Sequence, residues 1–334
     1  VNNTNLEVKD LRKLFPVHRG IVGSILRKSQ RWVHAVDGIS FNLDKGEILA
    51  LVGESGSGKT TTGLCALGLV EPTEGKILLQ GMDIVELAHG PRKQELRQKA
   101  QLIFQDPYES LNPRQTVFRA VSEALGVHKL AKNDKQKLEI AVSTLEDVGL
   151  KPASTFLHRY PEQLSGGQRQ RVGIASALAL NPSLLVADEP VSMLDVSIRA
   201  EILGLLLRLR KEHEISMIYI THDLASAAFI SDRVAVMYLG KIVEIGPAKV
   251  VLKDPLHPYT RSLMSVIPIP NPRRRQTRTV LKGETPNPID LPSGCRFHPR
   301  CPVAFDRCPN VQPELVDVGD HHQAACLLVD RQIP

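Results

Sequence analysis

Aromatic residues are scarce in this chain: Phe, Trp and Tyr together make 4% of its 334 residues, with a single tryptophan. No run of about 18 uninterrupted apolar residues occurs, so no membrane-spanning helix is expected. The start, Val1-Asn2-Asn3-Thr4-Asn5, is polar and lacks the apolar core of a secretory signal, which points to a cytoplasmic chain. Long blocks of one charge are also missing. The balance is +6 with a pI near 9.1, which would suit nucleic acid or an anionic membrane surface. Acidic residues are interspersed throughout, however, and the one tight basic run, Arg273-Arg274-Arg275, reads as a solvated linker. Cysteine is sparse until the end. Of five, Cys65 stands alone and reads as a small core residue, while Cys295, Cys301, Cys308 and Cys326 crowd into the last 40 positions. In a reducing compartment such a cluster points to metal before disulfides. An apolar content of 42% and a charged content of 23% are those of a globular protein. The length calls for two domains, or one with a large appendix.

What is present is organised around Gly53-Glu54-Ser55-Gly56-Ser57-Gly58-Lys59-Thr60, which matches G-x-x-x-x-G-K-[ST]. Ile48 to Val52 before it is an unbroken apolar run of the kind a buried parallel strand shows, and Thr60 to Leu69 after it reads as a helix. The glycines let the backbone curl its N–H groups around one anion at the positive end of that helix. Lys59 adds a charge for the β- and γ-phosphates, and Thr60 a hydroxyl for Mg²⁺, with Thr61 beside it. A chance lysine in a glycine-rich turn does not need all three parts in order. The motif predicts a nucleoside triphosphate site.

Taken in order, Leu6 to Leu11 and Val33 to Leu43 alternate as half-exposed antiparallel strands, joined by a long basic loop, Pro16 to Arg31. Phe15 and Trp32 flank that loop, and either can stack on a base. Lys76 to Gly81 is a short strand, Gln94 to Lys99 a helix, and Leu102-Ile103-Phe104 a strand running out at Gln105. A turn-rich stretch, 106–113, leads into a helical insertion over 116–150. Leu164-Ser165-Gly166-Gly167-Gln168 opens a helix, with Ser165 as N-cap and amides uncovered by the glycines. Leu184 to Asp188 is a buried strand followed by Glu189; Ile198 to Lys211 is a helix; Met217 to Ile220 a strand ending at Thr221-His222-Asp223. Val234 to Ile245 is a hairpin bending at Leu239-Gly240. Beyond Gly246 prolines multiply and periodicity fades, so an appendix that does not continue the sheet is expected.

Strand ends are where an α/β sheet gathers ligand-binding groups. Asp188 can hold Mg²⁺ opposite Thr60. Glu189 is placed to orient or deprotonate an attacking water. Gln105 can hydrogen-bond metal-bound and attacking water, and His222 can donate to the γ-phosphate as charge shifts.

This ordered set resembles the ATP-binding cassette (ABC) ATPases over about residues 5–250, with Leu164 to Gln168 as the signature. The resemblance implies an α/β fold: a RecA-like core with an antiparallel β subdomain and a helical subdomain at about 106–163. An irregular Cys/Pro-rich C-terminal extension over 251–334 follows. It also implies ATP and Mg²⁺ as ligands and a head-to-tail dimer with a second ABC subunit, copy or paralogue. In that dimer Ser165, Gly166, Gly167 and Gln168 close on the partner's nucleotide. Asp195 matches the loop that crosses the interface, with Met193 where the family has a small residue, and Phe15 matches the adenine-stacking position better than Trp32.

A narrower resemblance rests on Phe104-Gln105-Asp106-Pro107, Ser110-Leu111-Asn112-Pro113-Arg114, Leu256-His257-Pro258-Tyr259-Thr260-Arg261, and Gly294 to Pro302. These look like ATPase subunits of oligopeptide and dipeptide importers, which dock from the cytoplasmic face on two integral membrane permease subunits and act indirectly with an extracytoplasmic peptide-binding protein. Related importers of nickel share much of the pattern. A soluble ABC ATPase acting on nucleic acid or the ribosome is the rival. Such chains usually carry two cassettes or long coiled coils, and one phosphate loop, one signature and no sustained heptads occur here, so no nucleic-acid partner is expected. A third reading makes the cysteine tail a redox module. In the resembling importers that tail is associated with an iron–sulfur cluster. The residues themselves agree: five, six and 17 residues separate the four cysteines, with none of the close pairs usual for Zn²⁺. Longer loops suit a [4Fe–4S] cluster. Two disulfides stay open, as does a mixed Zn²⁺ site using His298, His321 or His322. The tail's order is expected to depend on metal, and ATP binding to survive its loss, the phosphate loop belonging to a separate core.

Overall fold

The computed structural model describes residues 3–17, 30–106, 111–266, 281 and 283–330. Most of the long basic loop, the turn at 107–110 and Arg273 to Arg275 lie outside the described residues. Twelve strands are described: β1 (Thr4–Pro16), β2 (Trp32–Asp44), β3 (Ile48–Val52), β4 (Glu74–Leu79), β5 (Met82–Asp83), β6 (Ala100–Ile103), β7 (Leu184–Asp188), β8 (Ser216–Thr221), β9 (Arg233–Tyr238), β10 (Lys241–Pro247), β11 (Val316–Asp317) and β12 (Gln323–Ala324).

β3 explains the layering. Ile48, Ala50 and Val52 point into one hydrophobic core and Leu49 and Leu51 into another, all fully buried. A strand apolar at every position is one covered on both faces. Its neighbours run parallel in the order β9-β3-β8-β7-β6. The second sheet, β2-β1-β4-β5, is antiparallel and packs Leu6, Val8 and Leu11 into the core shared with Leu49. The inward spacing slips by one after Val8 because a bulge sits there, with Asp10 at φ 47°. Cys65 is buried in that core, where desolvation pushes its thiol up to about 12, as a small packing residue.

The helical insertion forms helices Val117–Val127 and Asp134–Asp147, capped by Thr116 and Asn133, and both pack on helix Gly166–Leu178. Val121, Ala141, Leu145 and Val172 share one core there and are fully buried.

The expected break at Gly246 is corrected. β12 pairs antiparallel with β10 (Glu244 with Ala324, Ile245 with Gln323), and β11 adds beyond it, so the C-terminal segment extends the main sheet. Two-residue strands carry no readable alternation, which is why periodicity missed them. Tyr259 and Phe297 belong to the main core, with Cys295 and Cys301 packed against it.

A buried carboxylate staples this segment down. Glu244, wholly inaccessible, accepts the N–H groups of Leu256 (2.8 Å) and His257 (3.0 Å) and the ring N–H of His322 (2.7 Å). Burial pushes His257 down to about 4, so its neutral Nδ1 accepts the Tyr259 N–H and caps helix Pro258–Met264. Glu244→Ala leaves three donors unpaired in the core and should cost about 3–5 kcal/mol, the scale for breaking a buried charged pair. Urea unfolding measures it, and hydrogen exchange should show lost protection at Leu256, His257 and Ala325. An unchanged midpoint would remove the staple.

Candidate nucleotide site

The pairing register brings the C-terminal ends of four strands to one edge: Val52 lies beside Thr221, Asp188 beside Ile220, and Ile103 beside Ala187. The glycine-rich loop leaves β3 there. A Cβ on Gly53 would sit 2.2 Å from the Met237 carbonyl oxygen, and one on Gly58 2.2 Å from that of Ala35; both have positive φ. Only glycine fits either place. Gly58 precedes helix Lys59–Ala66 in the left-handed conformation and offers no side-chain cap, so the first-turn amides are left for a ligand. Lys59 is buried and donates to the carbonyls of Gly53 (2.8 Å) and Glu54 (2.9 Å). Burial lowers its pKa against the raising influence of Glu189, Asp188 and Glu54. Ser55 and Gly56 form the exposed lip, Ser57 is buried beneath, and Thr61 is half-buried on the helix.

Thr60 Oγ1 donates to Asp188 at 3.3 Å. Burial raises the Asp188 pKa, and the neighbouring Glu189 charge adds to that. A hydroxyl and a desolvated carboxylate side by side fit Mg²⁺, which needs only one or two protein oxygens when phosphates and water supply the rest. Glu189 sits at φ 45°, its N–H held by the Ile220 carbonyl (2.9 Å). Its carboxylate accepts from His222 Nδ1 (2.9 Å) and Gln105 Nε2 (3.2 Å). Three residues read as separate strand-end groups are thus one hydrogen-bonded set.

Phe15 and Trp32 stand at the same end of the β1–β2 ribbon, 37% and 40% exposed, with Lys13 Nζ 4.9 Å over the Phe15 ring. Ser165 caps helix Gly166–Leu178 in a closed box: its Oγ accepts the Gln168 N–H (3.3 Å), and its own N–H donates to Gln168 Oε1 (3.0 Å). Gly167 is buried against Ile198, where a Cβ would meet Cγ2 at 2.7 Å. Asp195 caps helix Val196–His213 without a side-chain bond, beside Met193 and Val196, 63% and 81% exposed.

One set of contacts has no local signal in the chain. Glu54 Oε2 and Oε1 accept from Arg300 at 2.8 and 3.1 Å, Thr285 Oγ1 donates to Oε2, and the Glu54 N–H donates to Tyr259 Oη at 2.8 Å. Burial alone would raise the Glu54 pKa; the Arg300 and Thr285 bonds outweigh it and hold the carboxyl below its ordinary range. The Leu256 to Arg261 and Gly294 to Pro302 motifs contain Tyr259 and Arg300, but neither names Glu54 as the partner.

A family profile described as "ABC transporter" matches residues 36–192, and a second, "Oligopeptide/dipeptide transporter, C-terminal region", matches 243–308. Over 327 residues the chain is 45% identical to the oligopeptide transport ATP-binding protein AppF of Bacillus subtilis, covering 97% of both. It is 45% identical to the probable peptide ABC transporter ATP-binding protein y4tS of Sinorhizobium fredii, covering 96% of this chain and 89% of the relative. The chain belongs to the ABC transporter ATP-binding subunits. It shares their fold with the dimeric post-hydrolysis cassette MJ0796 bound to ADP and Pi, at TM-score 0.62 and 28% identity over 73% of this chain and 98% of that one. CbiO1 of Clostridium perfringens aligns at 0.62 and 28% over 76% and 92%. It is therefore an ATPase with the α/β ABC architecture expected from the phosphate loop and signature.

The ABC subunit's cysteines are all free thiols. Among the described residues no three His, Cys, Asp or Glu side chains gather as a metal-ion site, so the expectation of a compact metal centre, Zn²⁺ with His298, His321 or His322 included, finds no support. His322 is instead spent on Glu244, and His298 Nδ1 lies 2.9 Å from the Cys295 carbonyl. The four thiols nonetheless share one neighbourhood. Burial first, then the charges Cys308, Cys326 and Cys301 would carry, push Cys295 up to about 11. Cys295, Cys301 and Cys326 also accept backbone N–H groups, from Phe297, Val303, and Leu328 with Val329. Cys308 and Cys326 are buried and Cys295 and Cys301 half-buried.

Proposed function

We propose that this chain energises import of di- and oligopeptides through two separate integral membrane permease subunits, docked on their cytoplasmic face. One observation carries the reading: near full-length similarity to peptide-transport ATP-binding subunits extends through the C-terminal region, and that region contacts the phosphate loop. Among the described residues no helix is long and apolar enough to cross a membrane, which fits a subunit that borrows its membrane path. A cleft of about 430 Å³ between β6 and the helical insertion, bordered by exposed Phe104, buried Leu111 and half-buried Gln115, suits an element of such a partner.

At the site, amides of the glycine-rich loop, that of Glu54 aside, and the Lys59 ammonium bind the phosphates, and Phe15 stacks on the adenine. Thr60 and Asp188, with Gln105 beside them, would hold Mg²⁺, which neutralises charge on the transferred phosphoryl oxygens. Glu189 accepts the proton of the attacking water; Gln105 and His222, already hydrogen-bonded to its carboxylate, orient it. Ser165, Gly166, Gly167 and Gln168 act on the nucleotide of a second ABC subunit, and Asp195 crosses that interface. The dimeric state of the similar cassette supports this arrangement.

We further read Cys295, Cys301, Cys308 and Cys326 as ligands of a [4Fe–4S] cluster. Supporting it are their shared neighbourhood and backbone N–H donors. Protein made anaerobically should be brown with about four irons per chain; colourless protein with one tight zinc refutes the cluster. The transport reading is tested by reconstituting the chain with its membrane subunits in liposomes. ATPase activity should rise with a peptide-loaded binding protein. Stimulation by nickel alone would overturn the cargo, and co-purification with rRNA in place of membrane subunits would overturn transport.

A further inference from the structure

The first variable residue of the phosphate loop is held mostly from outside the loop. Glu54 donates its N–H to Tyr259 Oη, its carbonyl accepts from Lys59 Nζ (2.9 Å), and its carboxylate is forked by Arg300 with Thr285. Three of those partners belong to the C-terminal segment. Arg300 closes the turn His298–Arg300, tied by Arg300 N–H to the Phe297 carbonyl (3.0 Å) and His298 N–H to that of Cys295 (2.9 Å). Phe297 wedges beneath, its ring 5.3 Å from both Tyr238 and Tyr259. Arg296 fixes the other side, donating to the Leu239 carbonyl and to Asp37. The segment is thus held on both sides where it meets the loop.

We propose that Arg300 is a positioning residue for ATP, acting through Glu54. Two effects follow from the geometry. Mechanically, a bidentate guanidinium–carboxylate pair fixes both position and orientation of the peptide that Lys59 also grips. Electrostatically, Arg300 cancels a negative charge that sits close enough to influence Lys59. Without Arg300 that carboxylate competes for Lys59 and repels the incoming phosphates. The nucleotide site thus extends into the segment between Cys295 and Cys301, whether or not those thiols hold a cluster.

The test is a double-mutant cycle on the full chain, reading ATP affinity by equilibrium binding and KM against kcat in the assembled transporter. Arg300→Gln should weaken ATP binding about tenfold, equivalent to 1.4 kcal/mol, with kcat at saturating ATP reduced much less. Arg300→Lys keeps the charge, loses the fork and should fall between. Glu54→Gln combined with Arg300→Gln removes the bare carboxylate and should recover most of the affinity, a coupling that a merely structural arginine does not produce. Affinity within twofold of wild type in Arg300→Gln, or additive losses in the double variant, overturns the proposal. Should Arg300→Gln not fold, Arg300→Lys with and without Glu54→Gln decides: an unchanged ATP affinity in both is equally fatal.

Discussion

Glu189→Gln should bind ATP with little loss while hydrolysis falls by about two to four orders of magnitude, the scale for losing a general base. The substitution is nearly isosteric at a side chain whose surroundings can accommodate it. His222 Nδ1 at 2.9 Å and Gln105 Nε2 at 3.2 Å both meet the carboxylate. A Gln amide keeps one acceptor and replaces the other with donors. Gln105 can turn its own amide to present oxygen, and His222 can change tautomer, so the hydrogen-bonded set survives. What is lost is the proton acceptor and one negative charge opposite the phosphates. The variant should therefore accumulate ATP-bound, and single-turnover assays of the assembled transporter measure the defect. Near-normal turnover would take Glu189 out of the role.

The parts of this site legible in the sequence are those whose signals are local. β3 and the glycine loop are contiguous, so strand, anion nest and helix start could be read together. The β9–β10 hairpin was equally plain, because Leu239 and Gly240, at φ 44° and 78°, form the tight turn that two positive-φ residues make. Short elements were less visible. Helix Leu224–Ile230 is started by Asp223, whose carboxylate accepts the Ala225 and Ser226 N–H groups, yet in sequence Asp223 reads only as the close of a strand. Long-range charge pairs were invisible. Arg300 and Glu54 are 246 positions apart, and nothing in either neighbourhood names the other. The same blindness produced the expectation that ATP binding is indifferent to the tail. With β12 in the main sheet and Arg300 on the phosphate loop, disorder of the C-terminal segment should instead weaken nucleotide binding.

Ser165→Arg should leave the ATP affinity of the isolated subunit nearly intact and block turnover of the assembled transporter. The contacts that order the phosphate loop in one chain come from Lys59, Asp188, Tyr259, Thr285 and Arg300, so a change at the signature has no direct path to them. Ser165 is exposed at the start of helix Gly166–Leu178, where Gly166 and Gly167 keep the first amides unobstructed. An arginine there covers the amides that are proposed to meet the partner's γ-phosphate. It also removes the cap to Gln168, which by itself costs about 1 kcal/mol. Ser165→Ala separates the two effects, because it loses the cap without adding bulk and should retain far more turnover. ATP binding is measured on the separate subunit and hydrolysis on the complex, with each mate altered in turn, since two unlike subunits make two unlike sites. Loss of ATP binding by the isolated Ser165→Arg subunit would place the residue at its own chain's nucleotide and end the reading in trans. Intact binding with turnover abolished in the complex is the outcome that a signature acting across the dimer requires.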